Sequence, residues 1–282
     1  MSLPENFDAD AFVHQVLAED LGTGGDVTSN ATIGADARFT AEMNTRQAIV
    51  VAGLDVAAAF FRALDPDVQI EPLVKDSDRA AHGTVLMRLA GNARAMLAAE
   101  RSALNTLQHL SGIATLTRQY VDAIEGTGAV LIDTRKTIPG LRVLDKYAVR
   151  MGGAQNHRIR LDDGVLIKDN HVAVCGGVAE AVRRARAANT GLQVQVEVDR
   201  IEQIEPALEA GADRLLLDNM DPAKLREAVR LVAGRTPLEA SGGVTLETIR
   251  FLAETGVDFI SVGRITQSAP AVDIGLDYTT SR

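Results

Sequence analysis

Residues 133–171 read DTRKTIPGLRVLDKYAVRMGGAQNHRIRLDDGVLIKDNH and hold eight of the chain's 29 Lys and Arg residues. Against five Asp they give a local formal charge of +3, inside a chain whose formal net charge is −9. Arg presents a planar fork that clamps a carboxylate through two bonds, and Lys supplies a compact charge suited to phosphate. Arg135, Lys136 and Lys168 each close an apolar run, while His157 and Arg158 follow a Gly-Gly-Ala turn. Cations that converge in this way describe a pocket for a polyanion. Arg142, Lys146, Arg150 and Arg160 are at least as well read as solvated surface charges.

Two acids and two glycine loops complete the set. Glu197 in LQVQVEVD and Asp218 in ADRLLLDN end apolar runs and suit Mg²⁺ or sugar hydroxyls. They could equally pair with Lys136 and Lys168 as a structural ion network. EASGGVT carries Ser241, Gly242 and Gly243, and SVGRIT carries Gly263 and Arg264, with Gln267 close behind. Small residues between a strand and a helix let backbone N–H groups approach an anion. His14, His82 and His109 have no visible partners and read as surface or helix residues, and His171 as support for its loop. HExxH and similar metal spacings are absent.

These residues need a scaffold that brings strand ends together. AVLIDTR, GVLIKDNH, LQVQVEVD, ADRLLLDN, TPLEASGG and VDFISVGR alternate with amphipathic stretches such as DPAKLREAVRLVAG, and HRIRL is a candidate seventh strand. Strand and helix in that rhythm predict a parallel sheet covered by helices, in a closed or nearly closed barrel. The carboxyl ends of barrel strands share one face, where the active site lies. Asp133, Asn170, Asp199 and Asn219 also fall at those ends. Period-two alternation puts Gln193, Gln195, Glu197 and Asp199 on one face of their strand. Residues 1–105 show an α+β pattern without this rhythm, and residues 92–126 form a long helical region.

Composition sets outer limits. A 46% hydrophobic content supports a core, and net acidity argues against general nucleic-acid or membrane-surface binding. The single cysteine, Cys175, excludes an intrachain disulfide. No charged n-region precedes an apolar run in MSLPENFDADAF, and no apolar run approaches the ~20 residues that span a bilayer. A cytoplasmic location is the expectation.

The chain resembles the quinolinate phosphoribosyltransferase family through EDLGTGGDVTS, AERSALNTLQHLSGIAT, DTRKTIPGLRVLDKYAV, GGAQNHR, LIKDNH, EVD, LLLDN, EASGG and GVDFISVGRITQSAPAVDIGLD, in that order. The resemblance implies an N-terminal α/β sandwich over residues 1–105, joined by the C-terminal tail 270–282. It implies an open α/β barrel of the type II phosphoribosyltransferases over 106–269. It also implies transfer of phosphoribosyl from phosphoribosyl pyrophosphate to quinolinate with decarboxylation, Mg²⁺ without an organic cofactor, and a homodimer with shared active sites. Carried over by position, Arg135, His157, Arg158 and Lys168 hold quinolinate, with Arg101 supplied by the partner subunit. Lys136 and Lys168 touch phosphoribosyl pyrophosphate, and Glu197 and Asp218 stand near the ribose and Mg²⁺. Ser241, Gly242, Gly263 and position 267 match the family's 5′-phosphate loop, and Gly243 and Arg264 beside them are further candidates for phosphoribosyl pyrophosphate that the resemblance does not itself supply. Two positions depart from the family's frequent pattern: Ala154 replaces a third glycine, and Gln267 stands where many members have His.

Three other readings of the residues stand beside this one. A related type II enzyme for nicotinate or another acid would need fewer cations. A Schiff-base aldolase would use Lys168 as its amine. A non-catalytic anion-binding protein would hold the ligands without turnover.

Overall fold

The structure, a computed structural model, describes residue 4 and residues 7–279. The first residues of the chain, read for a signal segment, and the last three of the tail 270–282 lie outside these. The described residues fall into two compact units. One comprises the chain up to Leu116, Val143–Gly153 and the chain from Ser268; the other comprises Thr117–Arg142 and Ala154–Gln267.

In the first unit Asp8 starts helix α1 (Ala9–Leu21) by accepting the Ala11 amide, and Asp26 starts α2 (Val27–Thr32) by accepting those of Thr28 and Ser29. Strands β1 (Arg38–Thr45), β3 (Gln69–Pro72) and β5 (Val85–Asn92) form an antiparallel sheet, and β2 (Ile49–Val50) pairs with β4 (Arg79–Ala80). Helix α3 (Leu54–Leu64) buries Val56, Ala57, Phe60 and Phe61 along one stripe. The Asp76 carboxylate accepts the Gly53 and Leu54 amides at its start, and the Tyr147 hydroxyl at 2.6 Å.

Helix α4 (Ala93–Ala123) contributes to both units, and α5 (Arg142–Met151) packs mainly in the first. Two expectations change here. Lys146 is only 2% exposed rather than solvated. His109 has a partner: its Nε2 lies 2.8 Å from Oδ1 of Asp145, which is fully buried. Charged residues at i and i+1 on a short helix gave no sign that both would point inward.

The second unit holds six parallel strands: β6 (Val130–Ile132), β7 (Val165–Ile167), β8 (Val194–Val198), β9 (Arg214–Asp218), β10 (Leu238–Ser241) and β11 (Phe259–Ser261). Their order is β6-β11-β10-β9-β8-β7, so the barrel is open between β6 and β7. The HRIRL segment forms no strand. The Asp163 carboxylate takes the Ile159 and Arg160 amides, the donors a ladder would need, and only Gln155 makes an isolated bridge to Ile132.

The run expected to stay extended through His171 stops at Ile167. His171 Nδ1 accepts the Lys168 amide, and helix α6 (Asp169–Cys175) begins there, with His171 supporting its loop as read. Helices α7 (Val178–Ala187), α8 (Ile204–Glu209), α9 (Pro222–Val232) and α10 (Ile249–Ala253) follow the next strands, and the short α11 (Arg264–Gln267) follows β11. Strand β12 (Ile274–Tyr278) pairs antiparallel with β1 in the first unit. Among the described residues no helix is long and apolar enough to cross a membrane.

Candidate active site

Alternation along the parallel strands sorts the interior of the second unit into layers. On β8 to β10 the residues Val196, Leu215, Leu217 and Ala240 are buried on one face. The intervening positions, Leu216 excepted, carry polar groups on the other face. Arg214 and Phe259 start β9 and β11, with the guanidinium 3.7 Å from the ring centroid. Gln195 is in register with Arg214 and Glu239 with Phe259. Glu197, Asp218 and Ser241 stand at the strand ends, with Ser241 in register with Asp218. A cavity of about 710 Å³ opens there, a size suited to small-molecule ligands.

Every expected site residue of the barrel lines this cavity. Arg135 and Lys136 follow β6, Lys168 follows β7, and Glu197 and Asp218 end β8 and β9. Ser241, Gly242 and Gly243 follow β10, while Gly263, Arg264 and Gln267 follow β11. His157 and Arg158 come from the segment before β7. Arg101 belongs to the first unit, exposed on α4.

Asp133 does not reach the cavity as an acid. It is fully buried, and its carboxylate accepts the His157 amide and the Asn156 side chain, both at 2.7 Å. It fastens His157 and Arg158 beside β6. The Arg158 guanidinium donates to the Gly164 carbonyl at 2.9 Å. Burial, and then the positive charge of Arg135, hold the Arg158 pKa below the usual arginine value. Arg135 Nε is itself buried without a hydrogen-bond partner. Two half-buried guanidiniums that repel one another favour a bound anion.

Lys136 is braced from both sides: its amide donates to Thr134 Oγ1 and its carbonyl accepts from Thr266 Oγ1. A Cβ at Gly263 would fall 2.8 Å from Lys136 Cδ, so glycine there leaves room for the lysine stem. Lys168 Nζ pairs with Glu197 Oε2 at 3.0 Å, because Ile167 is in register with Val196 and the next residues along lie side by side. Arg264 is exposed at the rim, where its charge helps hold the Glu247 pKa down, after hydrogen bonds from Thr245 and the Glu247 amide. Among the described residues no three His, Cys, Asp or Glu side chains cluster as a metal site.

Glu239 was not among the expected residues. It is fully buried and lines the cavity. Its Oε2 accepts from Gln195 Nε2 at 2.7 Å, lies 3.1 Å from Arg214 and 3.6 Å from His157 Nε2. The Gln195 carbonyl in turn faces His157 Nε2 at 3.1 Å. Period two applied to LEAS would have placed Glu239 on the face of Ser241. Thr134 and Thr266, the two braces of Lys136, carried no such signal.

Parallel barrel, strand-end cations, two carboxylates and two glycine loops together define an enzyme that handles a polyanionic small molecule at the mouth of an α/β barrel. Comparison narrows the class. Residues 26–111 match the model of the quinolinate phosphoribosyl transferase N-terminal domain, and residues 113–277 that of its C-terminal domain. The chain is 43% identical over 270 residues to a probable nicotinate-nucleotide pyrophosphorylase [carboxylating] of Bacillus subtilis, covering 95% of this chain and 93% of that one. It is 44% identical over 273 residues to the nicotinate-nucleotide pyrophosphorylase [carboxylating] of Mycobacterium leprae, covering 94% and 95%. The crystal structure of the nicotinate-nucleotide pyrophosphorylase of Ehrlichia chaffeensis superposes with a TM-score of 0.93 at 41% identity, over 97% of this chain and all of that one. The chain belongs to the quinolinate phosphoribosyl transferase family.

The Glu239 network generates a stability prediction. Removing one partner of a buried pair leaves a charge unpaired in low dielectric, so Glu239→Ala should cost about 3–5 kcal/mol. Glu239→Gln keeps an acceptor for Gln195 and should lose less. Urea unfolding of the three proteins measures this, and an Ala variant as stable as wild type would show that Arg214 does not depend on Glu239.

Proposed function

We propose that the chain transfers the phosphoribosyl group of phosphoribosyl pyrophosphate to quinolinate, yielding nicotinate mononucleotide, pyrophosphate and CO₂. The observation that carries this reading is the pair Arg135 and Arg158, half-buried, mutually repelling, with a buried donor of Arg135 unspent. A dianion such as quinolinate supplies what that pair lacks. Arg135, His157, Arg158 and Lys168 hold its carboxylates, and Lys136 lies between the two substrates. The 5′-phosphate sits on the loops at Ser241–Gly243 and Gly263, near Gln267.

The ring nitrogen attacks the anomeric carbon as the pyrophosphate leaves with the electron pair of its C–O bond. Lys136 and Lys168 favour that departure by their charge. Loss of the 2-carboxyl as CO₂ leaves an electron pair on ring carbon 2, stabilised by the adjacent cationic nitrogen, and the carbon then takes a proton. Positioning and preorganised charge do most of this work, and no covalent enzyme intermediate is needed.

Glu197 and Asp218 suit a Mg²⁺ ion shared with substrate phosphates, since that ion takes one or two protein carboxylates and completes its shell with phosphate and water. Such an ion would neutralise charge on the pyrophosphate. Glu197 and Asp218 also face the ribose hydroxyls. Arg101 serves the cavity of a second copy, in a homodimer whose active sites are shared.

Incubation with quinolinate, phosphoribosyl pyrophosphate and Mg²⁺ should release CO₂ and pyrophosphate together, with Lys136→Ala chiefly lowering kcat. Equal or better turnover of nicotinate would overturn the substrate assignment. Mixing Arg101→Ala with Lys168→Ala, each nearly inactive alone, should restore part of the activity in hybrid dimers with one intact site. No recovery despite demonstrated subunit exchange would count against sharing.

Arg264 supplies at the phosphate loop the positive charge that Gln267 lacks. Its contribution is that of a charge-assisted hydrogen bond, so Arg264→Ala should raise the KM for phosphoribosyl pyrophosphate roughly ten- to a hundredfold. The KM for quinolinate should change much less. An unchanged KM for phosphoribosyl pyrophosphate would make Arg264 a rim charge only.

A further inference from the structure

We infer that Asn219 is a positioning residue that couples the Asp218 carboxylate to the phosphate loop Ser241–Gly243, and so governs phosphoribosyl pyrophosphate binding separately from quinolinate binding. The inference rests on the function proposed above. Three ties converge on this one residue. Its side-chain Nδ2 donates to Asp218 Oδ2 at 2.6 Å, which occupies one carboxylate oxygen and fixes where the other points. Its backbone amide donates to the Ser241 carbonyl at 2.8 Å, beyond the last paired residues of β9 and β10. Its Oδ1 lies against the α-carbon of Gly242, where any Cβ would collide with it.

The backbone narrows the choice of residue. Asn219 has φ +53°, a left-handed conformation that Gly, Asn and Asp tolerate and other residues adopt at a cost. Gly would keep the turn and lose the donor. Asp would keep the shape and set a second carboxylate beside Asp218, where like charges disfavour ionisation. Asn alone among the three offers an N–H to a neighbouring carboxylate while its oxygen rests on the loop. Gly242, itself at φ +98°, answers that oxygen by having no side chain. The acid that ends β9 and the loop that follows β10 thus share one fastener at the cavity wall.

Two variants and two kinds of measurement test this. Asn219→Gly should raise the KM for phosphoribosyl pyrophosphate about tenfold, the effect of a lost hydrogen bond to a charged group, while the KM for quinolinate and the thermal midpoint stay near wild type. Asn219→Asp, which keeps the shape and loses the amide donor to Asp218, should raise it at least as much. Crystal structures of the wild-type and Asn219→Gly proteins read the positioning itself, without reference to any substrate. A rotated Asp218 carboxylate and a shifted Ser241–Gly243 loop support the inference. An unmoved carboxylate and loop, an unchanged KM, or equal rises in both KM values with a lowered midpoint would overturn it. A wild-type protein inactive on both substrates would instead count against the proposed function, and the crystal structures would still decide the role of Asn219.

Discussion

Register in the parallel sheet is the constraint on which the rest of this molecule depends. Successive side chains along a strand point to opposite faces, so a slip of one residue would exchange the two sets. Such a slip on β9 would bring Leu215 and Leu217 into the barrel and send Arg214 and Asp218 toward the helices. The pairing of Ser241 with Asp218 and of Ile167 with Val196 is therefore also the pairing of a glycine loop with an acid and of Lys168 with Glu197. Apolar residues buried on the other face hold that register firmly, because exposing them would forfeit their burial. The chemistry borrows its precision from the core.

Charge inside the barrel is distributed along the axis. The buried ion pair of Arg214 and Glu239 has its counter-charges built in, and Gln195 donates to Glu239 Oε2, while Glu239 Oε1 and Arg214 Nε make no hydrogen bond among the described residues. Nearer the mouth the balance changes: Lys168 has an acid, while the charge of Arg135 acts against that of Arg158. An acidic chain can host this local excess because the cations are grouped by fold rather than by overall composition.

Much of this is legible in the amino-acid sequence. The six strands announced themselves as apolar runs ending in polar residues, and the strand-end positions gave Arg135, Lys136, Lys168, Glu197, Asp218 and Arg264 of the cavity's charges. Where the reading failed, a competing local hydrogen bond or an unseen partner was responsible. Asp163 captures the amides that HRIRL would have used as a strand, and His171 ends β7 by taking the Lys168 amide. Lys146 and His109 looked like surface residues because their surroundings come from elsewhere in the chain. Glu239 was within reach of the alternation already applied to β8, but a single acid in a four-residue strand is easily passed over. The braces of Lys136 are different, since threonines at strand ends and on short helices have no distinctive spacing.

The two halves of the cavity are closed by loops of very different length. Asn156 meets Asp133 across 23 residues of chain, so the segment bearing Arg135, His157 and Arg158 is tied together locally. Thr266 reaches Lys136 across 130. During synthesis from the amino end, the first tie has both its ends on a nascent chain long before the second exists. The Arg135 and Arg158 side of the cavity is thus available to assemble early, and Lys136 gets its second brace only when the last barrel strand has emerged. Contacts so distant in sequence are also the slow ones to form. Completion of the mouth then coincides with completion of the barrel, and a chain interrupted before β11 would lack Arg264 and keep only the Thr134 brace of Lys136.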